Sequence, residues 1–122
     1  MNKEFLVHLF HILIIGGLFL YVGIKRTNIP NLMFPILLIL GIVVILYHMF
    51  NAYKHIIKKE SCYISLIHIL LVGPLLIYIG YNKDKTARLY FELLLMLGFA
   101  SIGYHGYYLV LSLNKNKNKN KD

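Results

Sequence analysis

The sequence has no tryptophan, one cysteine, three prolines and five acidic residues among its 122 residues. Because Cys62 is the single cysteine, the chain cannot close an intramolecular disulfide, and it lacks the paired cysteines of thiolate metal sites and covalent haem attachment. It also lacks a phosphate-binding glycine loop, a nucleophile elbow, a zinc-protease motif and paired carboxylates. These absences indicate a protein that is not an enzyme.

Negative charge is scarce, with five acidic residues against 13 Lys and Arg, which leaves a formal net charge of +8. In a soluble protein such an excess would suggest nucleic-acid binding. Here the basic residues flank apolar stretches and do not form a stripe interleaved with aromatic residues. The pattern predicts contact with anionic lipid headgroups and no nucleic-acid partner.

Apolar residues dominate the chain, at 58% of the sequence against 15% charged residues. Four stretches contain no Asp, Glu, Lys or Arg: residues 5–24, 29–53, 61–82 and 93–114. Each stretch has about the 20 residues that a helix needs to cross a bilayer. Long apolar runs without strict alternation favour helices over barrel strands. The sequence therefore predicts an all-α, polytopic membrane protein with four transmembrane helices.

An internal repeat emerges when the sequence is shifted by 57 positions. Residues 11–23 then match residues 68–80 at seven of 13 positions, and residues 32–48 match residues 89–105 at nine of 17. The informative identities are His11/His68, Gly16/Gly73, Tyr21/Tyr78, Gly23/Gly80, Gly41/Gly98, Tyr47/Tyr104 and His48/His105. They predict a tandem duplication with repeats at 1–57 and 58–113. The repeat also indicates that the first apolar stretch is a retained span and not a cleaved signal peptide.

Each repeat is expected to form a hairpin of two antiparallel helices, because the connecting loops 25–31 and 82–88 are short. Tandem hairpins enter the membrane from the same side, which predicts a pseudo-two-fold axis along the membrane normal. Eight lysines at the termini and middle link, against five basic residues in the hairpin loops, favour cytosolic termini. The Asn/Lys-rich residues 114–122 are predicted to be disordered and to contact anionic lipid headgroups.

Histidines are the ionisable residues that the predicted spans contain. Counted from the terminus side, His11, His48, His68 and His105 each lie roughly 8–11 Å below the membrane surface at 1.5 Å rise per residue. His8 lies one turn nearer the surface, and Tyr47 and Tyr104 adjoin the same level. The sequence therefore predicts a single layer of four histidines, with His8, Tyr47 and Tyr104 beside it.

Glycines on the same helices indicate which faces are in close contact. Gly41 and His48 are spaced by seven, as are Gly98 and His105, so on each even-numbered helix the histidine faces the neighbour that the glycine approaches. On the odd-numbered helices, Gly16 lies about 140° around from His11 at 100° per residue. The odd helices are therefore expected to present histidine to one neighbour and glycine to another.

Three interpretations of the histidine layer are open. Neutral imidazoles could hydrogen-bond within the bundle and hold helices together. The four histidines could instead bind a cofactor, either haem b through two axial imidazoles or a transition metal through three or four. They could also handle protons or ions, since histidine titrates near neutral pH. We favour the structural interpretation, and self-association into a homo-oligomer is left open.

The strings His-Ile-Leu-Leu-Val-Gly-Pro-Leu-Leu-Ile-Tyr-Ile-Gly (68–80) and Leu-Gly-x5-Tyr-His (97–105) resemble those of small duplicated membrane proteins of large DNA viruses of algae and protists. The resemblance covers most of residues 5–110. It implies a viral or virion membrane protein. The function that we favour is that of a membrane-organising or virion-membrane component, in a host or virion membrane. It implies no cofactor and carries over no site residue.

Overall fold

The computed structural model describes residues 3–121, which form four helices with no strand among them. The helices are α1 (Lys3–Asn28), α2 (Met33–Ile57), α3 (Tyr63–Lys85) and α4 (Arg88–Lys119). Each is long and apolar enough to cross a membrane. The predicted all-helical architecture with four candidate spans is confirmed, and it is compatible with a multi-pass integral membrane protein.

Large apolar side chains cover the outer surface of the helices. Leu70 is 73% exposed, Leu46 62% and Phe99 62%, and many further Leu, Ile, Val and Phe side chains share this outward position. A soluble protein rarely exposes so much contiguous apolar surface. The same surface suits contact with lipid tails, which fits the candidate spans.

The chain forms two compact units. One contains α1 up to Ile24 together with α4 from Glu92, and we call it the α1–α4 unit. The other, Lys25–Phe91, contains α2 and α3, and we call it the α2–α3 unit. Each unit thus pairs a helix from the first predicted repeat with one from the second. The repeat boundaries at 1–57 and 58–113 are a different division of the chain, and they stay a prediction.

In the α2–α3 unit, glycines bring the two helices into backbone contact. A Cβ built on Gly80 would lie 2.6 Å from the amide nitrogen of Leu38, and one on Gly41 would lie 2.8 Å from the carbonyl oxygen of Gly73. Gly73 in turn faces Ile45. These contacts run in opposite directions along the two helices, so α2 and α3 are antiparallel. Only residues without a side chain permit this approach.

The α1–α4 unit contains matching contacts. A Cβ on Gly23 would lie 2.8 Å from Leu95 Cβ, and one on Gly16 would lie 2.7 Å from Ile102 Cγ1. Each contact has a counterpart 57 positions away in the α2–α3 unit, namely Gly80 with Leu38 and Gly73 with Ile45. The local packing within each unit therefore follows the sequence repeat.

The Asn/Lys-rich segment differs from the prediction of disorder for residues 114–122. The helix α4 continues through Lys119, and residues 120 and 121 form a turn, while residue 122 lies outside the described residues. A physical reason is that extending an existing helix avoids the nucleation cost, and lysine is a good helix former. The segment buries no core, since residues 113–121 are exposed.

Substitution of Gly80 by Ala tests the backbone contact between α2 and α3. The added methyl would meet the Leu38 amide and the Phe34 carbonyl, which are backbone atoms that cannot rotate away. We expect a loss of about 1–3 kcal/mol in the free energy of unfolding, the usual cost of overpacking. Denaturation of the full-length protein in detergent micelles, followed by circular dichroism, measures it.

Gly106→Ala is the matched control, because a Cβ at Gly106 meets no atom of the described residues within 4 Å. The control should be neutral or stabilise α4 by up to about 1 kcal/mol, since alanine favours helix over glycine. Equal effects of the two substitutions would show that α2 and α3 do not approach at Gly80.

Candidate functional site

Two histidines mark the start of an irregular segment in α1 and in α3. The Nδ1–H of His11 donates to the carbonyl oxygen of Val7 at 2.8 Å, and that of His68 donates to Ile64 at 2.8 Å. The backbone N–H of His68 also donates to the carbonyl oxygen of Ile64, so this carbonyl accepts from both groups. π-Helical geometry begins at each histidine, over His11–Gly16 in α1 and His68–Val72 in α3. In α3 the backbone N–H of Gly73 accordingly donates to the carbonyl oxygen of His68, five residues back.

The π-helical segments overturn one expectation about the faces of α1 and α3. In a π-helix residue i bonds residue i+5, so His11 and Gly16 stack above one another instead of lying about 140° apart. Gly16 packs on Ile102 of α4, and His11 stacks on His105 of the same helix. The expectation that each odd helix presents histidine and glycine to different neighbours is therefore wrong. Both residue types face one partner helix.

In the α2–α3 unit, the rings of His48 and His68 are stacked. Their centroids are 3.9 Å apart and their planes differ by 17°. The Nδ1 of His68 is already held by the backbone of its own helix, so its ring is fixed when it meets His48. Tyr47 contacts His48 edge-on at 5.2 Å, but its side chain is 59% exposed.

In the α1–α4 unit, His11 and His105 form the equivalent pair. Their ring centroids are 4.3 Å apart and the planes differ by 23°. His105 is 8% exposed, which makes it one of four buried polar or charged residues in the described chain. Tyr104 contacts His105 edge-on at 5.1 Å. The two stacked pairs are equivalent at an interval of 57 positions, because His11 corresponds to His68 and His105 corresponds to His48.

His8 makes the α1–α4 unit different from the α2–α3 unit. Its Nδ1 lies 2.8 Å from Nδ1 of His105, so one ring donates a hydrogen and the other accepts it. Tyr108 stacks on the other side of His8, with centroids 5.8 Å apart and planes 16° from parallel. The position equivalent to His8 is Ser65, which is buried. The α1–α4 unit thus contains three histidines in contact where the α2–α3 unit contains two.

The structure brings the four predicted site histidines together as two pairs, one within each unit. That the two pairs form a single layer stays a prediction. His8, predicted beside the layer, contacts His105 through a nitrogen atom, whereas Tyr47 and Tyr104 each make an edge-on ring contact with the histidine that follows. The sequence analysis missed Tyr108. Its position three residues after His105 places it on the same helical face, which is the signal that could have found it.

Neither stacked pair has the arrangement of a haem or metal site. A metal is bound by the lone pair of an imidazole nitrogen, which lies in the plane of the ring. Stacked rings turn their faces toward each other, so the members of a pair do not aim lone pairs at a point between them. Within residues 3–121, no group of three or more His, Cys, Asp or Glu is placed to hold a metal ion. Cofactor binding by His11, His48, His68 and His105 stays a prediction, without support from this geometry.

No protein-family model, no curated protein and no solved structure matches the chain. The resemblance to small viral membrane proteins therefore stays a prediction.

A double-mutant cycle of His48→Ala and His68→Ala tests the stacked pair. Aromatic pairs contribute about 0.5–1.5 kcal/mol beyond burial, so the two substitutions should be non-additive by about that amount. Reversible unfolding of the full-length protein in micelles gives the four free energies.

The same cycle with His48→Ala and His55→Ala is the control. His55 lies two helical turns beyond His48 and bonds Glu60 in the connection to α3, so its coupling to His48 should be near zero. A coupling of zero between His48 and His68 would contradict the stacking contact.

Proposed function

We propose that this protein is a non-enzymatic integral membrane protein in which paired histidines join helices and set how they align. One observation carries the proposal: both pairs are stacked, and His11 and His68 direct Nδ1 at their own backbone rather than at a shared ligand. Such an arrangement uses imidazole as a contact surface between helices. It suits a structural role better than a cofactor site.

Histidine at these positions contributes more to the alignment of the paired helices than to the free energy of their association. Polar contacts between transmembrane helices contribute about 0.6 kcal/mol on average, which is little beside the packing along a whole helix. A stacked pair such as His48 with His68 restricts the alignment of α2 and α3, because α3 contains no other histidine and His55, the other histidine of α2, lies about two turns away. The pairs therefore select one register.

We further propose that the chain arose by tandem duplication and that its repeats, 1–57 and 58–113, are related by a pseudo-two-fold axis along the membrane normal. Support comes from the contacts that recur at an interval of 57 residues. Gly23 with Leu95 corresponds to Gly80 with Leu38, and His11 with His105 corresponds to His68 with His48. The π-helical segments begin at equivalent histidines as well.

The proposed setting is a membrane-organising component of a host or virion membrane, with cytosolic termini. The sequence resemblance and the excess of basic residues at the termini and middle link support this setting. The exposed lysines of the final segment are positioned to contact anionic headgroups if α4 continues out of the membrane. A homo-oligomer is compatible with the exposed apolar surface.

Absorption spectroscopy and metal analysis of the purified full-length protein test the structural role against cofactor binding. We expect a colourless protein without stoichiometric metal, because stacked rings do not aim their in-plane lone pairs at a common point. One equivalent of haem or metal that disappears on His48→Ala or His105→Ala would overturn the proposal. His55→Ala, outside both pairs, is the control for loss of protein quality.

Proton handling is a second candidate, favoured by a specific contact. The Nδ1 atoms of His8 and His105 lie 2.8 Å apart, within range for one imidazole to pass a proton to the other. His11 and Tyr108 stack on these two rings. Ser65 replaces His8 in the α2–α3 unit, so a proton relay of this kind would be restricted to the α1–α4 unit.

Proton flux into liposomes, followed with an internal pH-sensitive dye, tests the second candidate. It requires that the protein carry proton flux above that of empty liposomes and that His8→Ser remove this flux. Serine removes the imidazole nitrogen that lies 2.8 Å from Nδ1 of His105. His68→Ala, which alters the other unit, should leave the flux in place. Flux that is absent, or that both variants reduce equally, would exclude a relay through His8 and His105.

A further inference from the structure

One end of the α2–α3 unit carries a concentration of positive charge. Because α2 and α3 are antiparallel, the residues before α2 and the residues at the end of α3 lie at the same end of the unit. We call this the loop end. Its basic residues are Lys25, Arg26, Lys83, Lys85 and Arg88, and Asp84 is the acidic residue among them. Within the α2–α3 unit, the loop end is separate from the stacked pair of His48 and His68.

Two of these basic residues occupy backbone conformations that favour glycine. Arg26 has φ 55° and Lys83 has φ 53°, and they stand at equivalent positions, 57 residues apart. Each begins a short 3₁₀ turn that ends a transmembrane helix, Arg26–Asn28 in α1 and Lys83–Lys85 in α3. A side chain in this region costs conformational energy that glycine would avoid.

The side chain of Arg26 also leaves a donor unused. Its Nε is buried and has no hydrogen-bond partner among residues 3–121. A buried donor without an acceptor is unfavourable, so the position favours an acceptor that comes from outside the chain. Arginine binds phosphate through two parallel N–H groups, and Nε–H is one edge of that fork. An oxyanion would therefore satisfy the unused donor and the local charge together.

We propose that the loop end is a binding site for an anionic phosphate group, with Arg26 as the forked donor and Lys83 as the second cation. The phosphate belongs either to a lipid headgroup or to a free phosphate in solution. A lipid source fits the position, because the loop end terminates two candidate transmembrane helices and would lie at headgroup depth. This site is independent of the structural role proposed for the histidines.

Arg26→Gly separates binding from folding in a single variant. Glycine relieves the positive φ, so the unfolding midpoint should stay unchanged or rise, while the forked donor is lost. We expect the apparent affinity for phosphatidylglycerol to fall about tenfold, the loss expected for removal of a charge-assisted hydrogen bond. Lys83→Gly should act in the same direction. Arg26→Lys keeps the charge without the fork and should fall between Arg26→Gly and the unaltered chain.

Lys59→Gly is the matched control. Lys59 has φ 56°, so the substitution removes the same charge and relieves the same backbone conformation. It lies in the connection between Ile57 and Tyr63, at the opposite end of α2 and α3 from the loop end. Its affinity for phosphatidylglycerol should equal that of the unaltered chain.

The measurement uses the full-length protein in phosphatidylcholine nanodiscs, with phosphatidylglycerol titrated in and bound lipid counted by native mass spectrometry. A parallel arm adds inorganic phosphate to nanodiscs without phosphatidylglycerol. Binding that depends on Arg26 in the first arm alone assigns a lipid headgroup, and dependence in the second arm assigns a free phosphate. If Arg26→Gly and Lys59→Gly lose affinity equally, the loss reflects the net charge of the protein and not a site at the loop end, which would overturn the proposal. An unchanged affinity in Arg26→Gly would also overturn it.

Discussion

The packing within both units depends on the π-helical segments that begin at His11 and His68. In lipid, every backbone amide must find a carbonyl within the protein, because no water is available to accept its hydrogen. A π-helical turn meets this requirement with a carbonyl one residue further back, as the N–H of Gly73 does with the carbonyl of His68. The carbonyls of Val7 and Ile64 accept the Nδ1–H of His11 and of His68 and so hold each ring against its own helix. The extra residue in the π-helical turn rotates the helix face that follows it.

That rotation decides what each odd helix presents to its partner. Without it, Gly16 and His11 would point in different directions, and a helix could use its glycine face and its histidine face for two different neighbours. With it, close backbone approach and imidazole stacking occur at one interface. Glycine provides proximity there, and the stacked pair restricts which turns can lie opposite each other. The glycine contact has no preferred direction, whereas the stacking of two imidazoles does. Their combination explains how largely apolar helices can adopt one register.

The two units share this geometry but differ in polarity. The α2–α3 unit has Ser65 where the α1–α4 unit has His8, and in the α1–α4 unit the Nδ1 atoms of His8 and His105 lie 2.8 Å apart. Charge is distributed unevenly as well, since the basic loop end belongs to the α2–α3 unit. The two units therefore share the geometry of their helix interface and differ in their polar groups.

The sequence by itself determined the number and approximate limits of the helices. Each candidate span is an uninterrupted apolar stretch of about 20 residues, and such a stretch can be recognised without knowledge of the rest of the fold. It also identified the even-helix faces, on which spacings such as Gly41 to His48 survive regular α-helical geometry. Regular geometry failed at His11 and His68, where a projection at 100° per residue could not include the π-helical segments that begin there. The helical state of residues 114–119 likewise differed from an expectation based on composition alone.

Only the tertiary structure decided which helices pair within a compact unit. Because the loops are short, the two helices of each predicted hairpin were expected to pack on each other. The contacts of Gly80 with Leu38 and of Gly23 with Leu95 instead join helices from different predicted repeats. The repeat itself explains why sequence could not choose. His48 and His105, like Gly41 and Gly98, offer the same groups at the same spacing, so α2 and α4 present equivalent faces. Which of these two helices packs against α1 and which against α3 depends on long-range packing, and the residue pattern of a single helix does not contain that information.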